Sequence, residues 1–189
     1  MKRLAVYCGS SIGSDPLFEG AARRLGEEMA RRGIDLVYGG GHRGLMGVVA
    51  DAVLESGGRA YGVIPQALVD LEVAHTGLTE LHTVSSMHER KAKMTDLTDA
   101  FIAIPGGIGT LDELFEAWTW NALGYHSKPF CLLNVAGFWD RLIDFMDHVA
   151  ASGFISPGRH AQLLVADEIG EAIEKLDAAA KAAETRMVW

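Results

Sequence analysis

FIAIPGGIGTLDE, residues 101–113, joins an apolar run to a proline, three glycines in four positions, and a threonine with two acids behind it. A run apolar on nearly every residue marks a strand covered on both faces, and the stretch beyond the glycines has helical spacing. A strand that turns on glycine into a helix is the unit of a parallel sheet, because parallel neighbours need a crossover and a helix usually supplies it. The same alternation runs the length of the chain. Strand-like runs occupy 4–8, 34–39, 59–64, 78–84 (the weakest), 100–104, 129–134 and 163–166. Helical patterns lie between them, at 16–32, 44–57, 86–98, 110–124, 138–152 and 168–184. The expected fold class is α/β, a doubly wound parallel sheet with helices on both faces. A length of 189 residues suits a single domain.

Sheets of this type bind ligands beyond the carboxyl ends of their strands. Those ends carry CGSS (8–11), GGGHRG (39–44), IPQ (64–66) and PGGIGT (105–110), three of them rich in glycine or hydroxyl groups. Ser10 and Gly41 are candidate contacts on the first two turns. Gly39, Gly41 and Gly44 fit G-x-G-x-x-G, but the next strand, RAYGVIPQ, ends without the acid that a dinucleotide's ribose requires. That turn is then either a tight strand-to-helix joint or a seat for an anion or ribose at a helix N-terminus. PGGIGT is more specific. Its glycines let several backbone N–H groups converge on one point, the helix adds its positive end, and Thr110 offers a hydroxyl. No G-K-[ST] follows, so the expected guest is a monophosphate and not a triphosphate.

Two stretches bring ionisable groups to this cradle. Thr110-Leu111-Asp112-Glu113 reads as a capping box, with Thr110 at the N-cap and Glu113 turned back to its backbone N–H. The alternative aims the same carboxylate outward, at a ligand. In SMHERKAKM (86–94), helical geometry puts Met87, Arg90, Lys91, Met94 and Thr98 on one face. Arg90 and Lys91 therefore interrupt an apolar stripe, where a cation either snorkels to the rim or faces an anion.

Met87-His88-Glu89-Arg90-Lys91, followed by Pro105-Gly106-Gly107-Ile108-Gly109-Thr110-Leu111-Asp112-Glu113, resembles the paired MHxRK and PGGxGTxxE motifs of the LOG (Lonely Guy) family, the cytokinin riboside 5′-monophosphate phosphoribohydrolases. The likeness runs from CGSS to about GFISP (153–157), with Asp112 where many members have Glu. The resemblance implies a Rossmann-like fold, a homodimer, and hydrolysis of the N-glycosidic bond of an adenosine-type 5′-monophosphate. The products would be a free base, often an N6-substituted adenine, and ribose 5-phosphate. Arg90 and Glu113 match the family's catalytic pair. Lys91, Gly106, Gly107, Ile108, Gly109, Thr110, Leu111, Asp112 and Thr119 match substrate-binding positions, and Glu72 does so in a looser local context. Relatives have also carried a lysine decarboxylase label, yet no lysine here sits in a recognisable pyridoxal-phosphate context. In the hydrolase reading oxocarbenium charge builds on the ribose, and Glu113 stabilises it or prepares the attacking water. Arg90 would steady the base, the phosphate or Glu113 itself.

Composition narrows the rest. A formal net charge of −8 argues against nucleic acid or an anionic membrane as partner. The apolar part of the N-terminus is short for a secretion leader, and no stretch reaches the ~18 apolar residues of a membrane span. Cys8 and Cys131 make no metal spacing, so a cytoplasmic location with reduced thiols is expected. The seven histidines form no ligand cluster, with His42, His75 and His82 read as loop or surface groups. No metal or cofactor is therefore expected. The helix LFEAWTWNALGYH (114–126) gathers Phe115, Trp118, Trp120 and Tyr125 for a core or a subunit interface. The last helix reads as a solvated cover ending in a frayed MVW tail. The rival to the hydrolase is a carrier of a phosphorylated ligand, resembling the molybdenum-cofactor carrier proteins, which needs the cradle but not the charged pair. A dinucleotide-dependent oxidoreductase comes third.

Overall fold

The computed structural model describes residues 1–69 and 74–186, so Glu72 and the 187–189 tail lie outside the described residues. In chain order the elements are β1 (Arg3–Tyr7), α1 (Pro16–Arg31), β2 (Asp35–Tyr38), α2 (Gly44–Glu55), β3 (Ala60–Pro65), α3 (Gln66–Val69), β4 (Glu80–Val84) and α4 (Met87–Leu97). They continue with β5 (Ala100–Ala103), α5 (Ile108–Ala122), β6 (Phe130–Leu133), a 3₁₀ turn (Val135–Gly137), α6 (Asp140–Ala151), α7 (Pro157–His160), β7 (Leu163–Ala166) and α8 (Ile169–Arg186). The strands form one parallel seven-stranded sheet in the order β4-β3-β2-β1-β5-β6-β7. This is the expected α/β, Rossmann-like fold.

Alternation along β1 sorts the two layers. Leu4, Val6 and Cys8 enter a core built with α1, α2 and α8, whereas Ala5 and Tyr7 enter a second core with α4, α5 and α6. Side chains on a strand point to opposite faces in turn, so an unbroken apolar strand feeds both cores at once. β1 sits between β2 and β5, with Leu4 in register with Leu36 on one side and Ala100 on the other. The chain first winds outward from β1 to β4 and then returns to β5, and a crevice opens beyond the strand ends where the direction reverses.

Local signals fix the helix ends. Asp15 accepts a hydrogen bond from Leu17 N–H at 2.9 Å and Pro16 opens α1, while Gly33 follows its end with φ +69°. At α4, Ser86 Oγ accepts from Glu89 N–H (3.1 Å), and Glu89 Oε2 accepts from Ser85 N–H (2.8 Å) and Ser85 Oγ (2.6 Å). That reciprocal cap turns the stretch at 86–94 into a helix whose Arg90 and Met94 are buried. His82 corrects the loop-or-surface expectation: it lies inside β4, the outer strand, and its side chain is mostly covered. Among the described residues no helix is long and apolar enough to cross a membrane.

Candidate active site

Beyond β1, β2 and β5 the chain turns three times in little space. Gly9 N–H donates to Pro105 O (3.1 Å), and Leu45 N–H donates to Gly9 O (3.0 Å). The three glycine-rich turns are thus packed on one another. A Cβ at Gly106 would stand 2.1 Å from Thr110 Oγ1, and one at Gly44 would stand 2.2 Å from the carbonyl carbon of Ser10. Close approach demands glycine at Gly106; at Gly44 it adds to a backbone with φ +61°. A cleft of about 300 Å³ remains between the turns, walled by Ser10, Ser11, Phe18, Pro105, Gly106, Gly107 and Phe138 among others.

Helix α5 opens into this region. Its N-cap is Gly107, in extended conformation and with no side-chain cap. Gly107, Ile108 and Gly109 are exposed. The N–H groups of a first turn have no partner within the helix, so its positive end is presented at the glycine turn. This corrects the capping-box expectation. Thr110 is the third residue of the helix, nearly fully buried, with its hydroxyl packed beneath Gly106. Starting at Ile108 leaves Glu113 more than a full turn inside the helix, too deep to reach the N-cap N–H.

Glu113 instead faces α4. Its Oε1 lies 3.0 Å from Arg90 Nη1, and each of the two side chains is only 10% exposed. Arg90 Nε donates to Val63 O at 3.1 Å, which ties the guanidinium to the end of β3. Lys91, the next residue, places its ammonium 3.1 Å from Asp112 Oδ2 and 2.8 Å from Glu116 Oε2. Two adjacent cations of α4 therefore meet three carboxylates of α5. Burial raises the Glu113 carboxyl above the usual range, against the opposing pull of Arg90. Burial draws the Lys91 ammonium down, but Glu116 and Asp112 outweigh it and leave its pKa raised. Tyr7 and Cys8, at the end of β1, are held in their neutral forms by burial first and by the charge of Glu113 second.

The structure gathers some of the expected site residues and separates others. Ser10 is exposed at the cleft, and Gly106 lies within its wall. Gly41 is buried, with a bridge to Ala74. Leu111 packs against the core on the α5 side, and Asp112 is exposed beside Lys91. Thr119 lies six residues beyond Glu113, about 240° around the helix. It lines a different cavity, of about 480 Å³, together with Phe115, Trp118, Met146, Phe154 and Arg159. The carboxylate of Glu116 escaped the sequence reading, although its i+4 spacing from Asp112 was a usable signal. Among the described residues no group of three His, Cys, Asp or Glu side chains is placed to hold a metal ion.

The family model described as "Possible lysine decarboxylase" matches residues 46–176. The cytokinin riboside 5′-monophosphate phosphoribohydrolase LOG of Oryza sativa subsp. japonica is 46% identical over 188 residues, covering 100% of this chain and 78% of that relative. The cytokinin riboside 5′-monophosphate phosphoribohydrolase LOG1 of Arabidopsis thaliana is 46% identical over 176 residues, covering 93% of this chain and 83% of that relative. Among solved structures, the molybdenum cofactor carrier protein of Chlamydomonas reinhardtii matches with a TM-score of 0.72 at 19% identity, over 94% of this chain and 97% of the other. That last likeness is one of fold.

Proposed function

Since the chain belongs to the family of cytokinin riboside 5′-monophosphate phosphoribohydrolases, we propose that it hydrolyses the N-glycosidic bond of adenosine-type 5′-monophosphates. The products are the free base, N6-substituted or plain, and ribose 5-phosphate. One observation carries the reading: a buried Arg90–Glu113 pair stands just beyond the exposed glycine mouth of α5. A phosphate on the first-turn N–H groups uses the helix's positive end. Glu113 lies about 7.5 Å farther along the axis, five residues at 1.5 Å each, and its side chain leans back toward the helix start. That offset leaves room for a ribose between a phosphate on the turn and the carboxylate.

The chemistry follows from the charges. The bond between the anomeric carbon and the base nitrogen breaks with its electron pair going to the base, and positive charge builds on the sugar. Ionised Glu113 stabilises that charge and takes a proton from the water that attacks the anomeric carbon; the departing base takes up a proton in turn. Arg90 favours the ionised carboxylate against burial and aims it. Phosphate held at the glycine turn orients the sugar, so remote binding serves the reacting centre. A carrier would use the turn but has no need of a buried charged pair beside it. Decarboxylation through a Schiff base needs a neutral amine, and Lys91 is instead kept protonated by two carboxylates. The two unpaired, buried thiols fit a cytoplasmic setting.

Incubation with adenosine 5′-monophosphate and with its N6-isopentenyl derivative should release the corresponding bases, detected by chromatography. Adenosine, lacking the phosphate handle, should react at least about 10²-fold less efficiently. Recovery of intact nucleotide, free or bound one to one, would support the carrier.

A homodimer completes this reading. Leu123 and Tyr125 are 64% and 76% exposed, and Met87 is 45% exposed. His88 stacks edge-on against Trp120 between α4 and α5. Exposed apolar and aromatic side chains of this kind suit a subunit interface. Light scattering should give twice the 20.4 kDa of the chain, and Trp120→Glu should halve that mass. A monomer at micromolar concentration would contradict the arrangement.

A further inference from the structure

The Arg90 guanidinium is held from three directions: Val63 O on Nε, Glu113 on Nη1, and Met87 Sδ at 3.9 Å from Nη1. The fourth direction belongs to Gly39, at the end of β2. A Cβ built there would lie 1.9 Å from Arg90 Nη2 and 3.1 Å from its Cζ. No real side-chain carbon approaches a nitrogen so closely, so one of the two would have to leave.

Glycine at this turn has two grounds, backbone conformation and space, and Gly39 shows the second without the first. Gly40 and Gly44 have φ of +75° and +61°, where an L side chain is strained whatever the space. Gly39 is absent from the residues with positive φ. Its backbone would accept alanine; its surroundings would not. The obstacle is the far end of a long side chain, normally free to swing aside, but this one is anchored by the carbonyl of Val63 and the carboxylate of Glu113.

We propose that Gly39 is a positioning residue for the Arg90–Glu113 pair, reserving the volume in which the guanidinium meets the carboxylate. This rests on the hydrolytic reading above and adds the end of β2 to a pair otherwise held by α4, α5 and the Val63 carbonyl of β3. A methyl group at 39 pushes Nη2 away and breaks either the bond to Val63 or the contact with Glu113. Misplacement by about 1 Å at such a pair can cost as much as 10²-fold in rate.

The test is a cycle of Gly39→Ala, Arg90→Ala and the double variant, each read for turnover of adenosine 5′-monophosphate and for melting temperature. Gly39→Ala should lower kcat by at least about tenfold and shift or erase the Arg90 Nε–H resonance in a 15N spectrum. In the double variant the methyl group enters space that the guanidinium vacated, so adding Gly39→Ala to Arg90→Ala should cost little more in either readout. If Gly39→Ala fails to fold while the double variant folds, the clash with Arg90 is established directly. Wild-type turnover and resonance in Gly39→Ala would overturn the proposal, as would additive losses or a double variant that also fails to fold. Because wild-type turnover is measured alongside, failure of the hydrolytic reading is seen separately as a wild-type protein that releases no base.

Discussion

Glu113→Gln should lower kcat on adenosine 5′-monophosphate by at least about 10²-fold while the nucleotide still binds, the usual scale for losing a proton-transfer group. The amide keeps the size of the carboxyl and one acceptor for Arg90, but it neither takes a proton from water nor balances charge on the sugar. The pH profile gives a second reading. Burial raises the Glu113 carboxyl above its ordinary value of 4.5. The ionised form is the working base, so kcat/KM should fall with decreasing pH through a limb lying above that value. The residual activity of Glu113→Gln should lack that limb. Near-normal turnover in the variant would reduce Glu113 to an ion-pair partner that joins α4 to α5.

Arg90→Ala should be comparably damaging, and its cost should depend on pH. Removing one partner of a buried pair leaves an uncompensated charge, typically worth about 3–5 kcal/mol of stability. Arg90 lowers the Glu113 pKa against burial, so its loss lets the folded-state pKa rise further above the unfolded value. A carboxyl raised in the folded state favours folding at low pH, and that advantage disappears as pH rises through the folded-state pKa. The melting-temperature deficit of Arg90→Ala relative to wild type should therefore be larger at pH 8 than at pH 5. Activity per folded molecule, measured well below the melting transition, should still be down about 10²-fold. Full activity per folded molecule would make Arg90 structural only.

The way these residues are held explains what the sequence could and could not reveal. The buried strands β1, β2, β5 and β6 are legible because covering both faces leaves each apolar on nearly every residue. β4 was the weakest pattern because it is an outer strand, with only Val84 buried. The helices at 66–69 and 157–160 span four residues each, too few to show a period. The sequence pattern starts this helix at 110, two residues later than α5 begins. Thr followed three positions later by Glu is a sound local cap signal, and packing of Thr110 beneath Gly106 overrode it. A true reciprocal cap lies at Ser85, Ser86 and Glu89, where the sequence shows a charge run. Arg90 was legible as a cation on the wrong face. That it meets Glu113 and the empty space at Gly39 was not, since those contacts join parts of the chain brought together only by the sheet.

In the proposed complex the carboxylate of Glu113 faces the sugar of a nucleotide whose phosphate rests on the 106–110 turn. A crystal structure of the Glu113→Gln variant soaked with adenosine 5′-monophosphate tests it most directly. Phosphate oxygens should accept hydrogen bonds from backbone N–H groups of that turn, with the anomeric carbon in contact with the residue 113 side chain beside Arg90. A nucleotide seated elsewhere, or one on the turn with its ribose directed away from residue 113, would contradict the account.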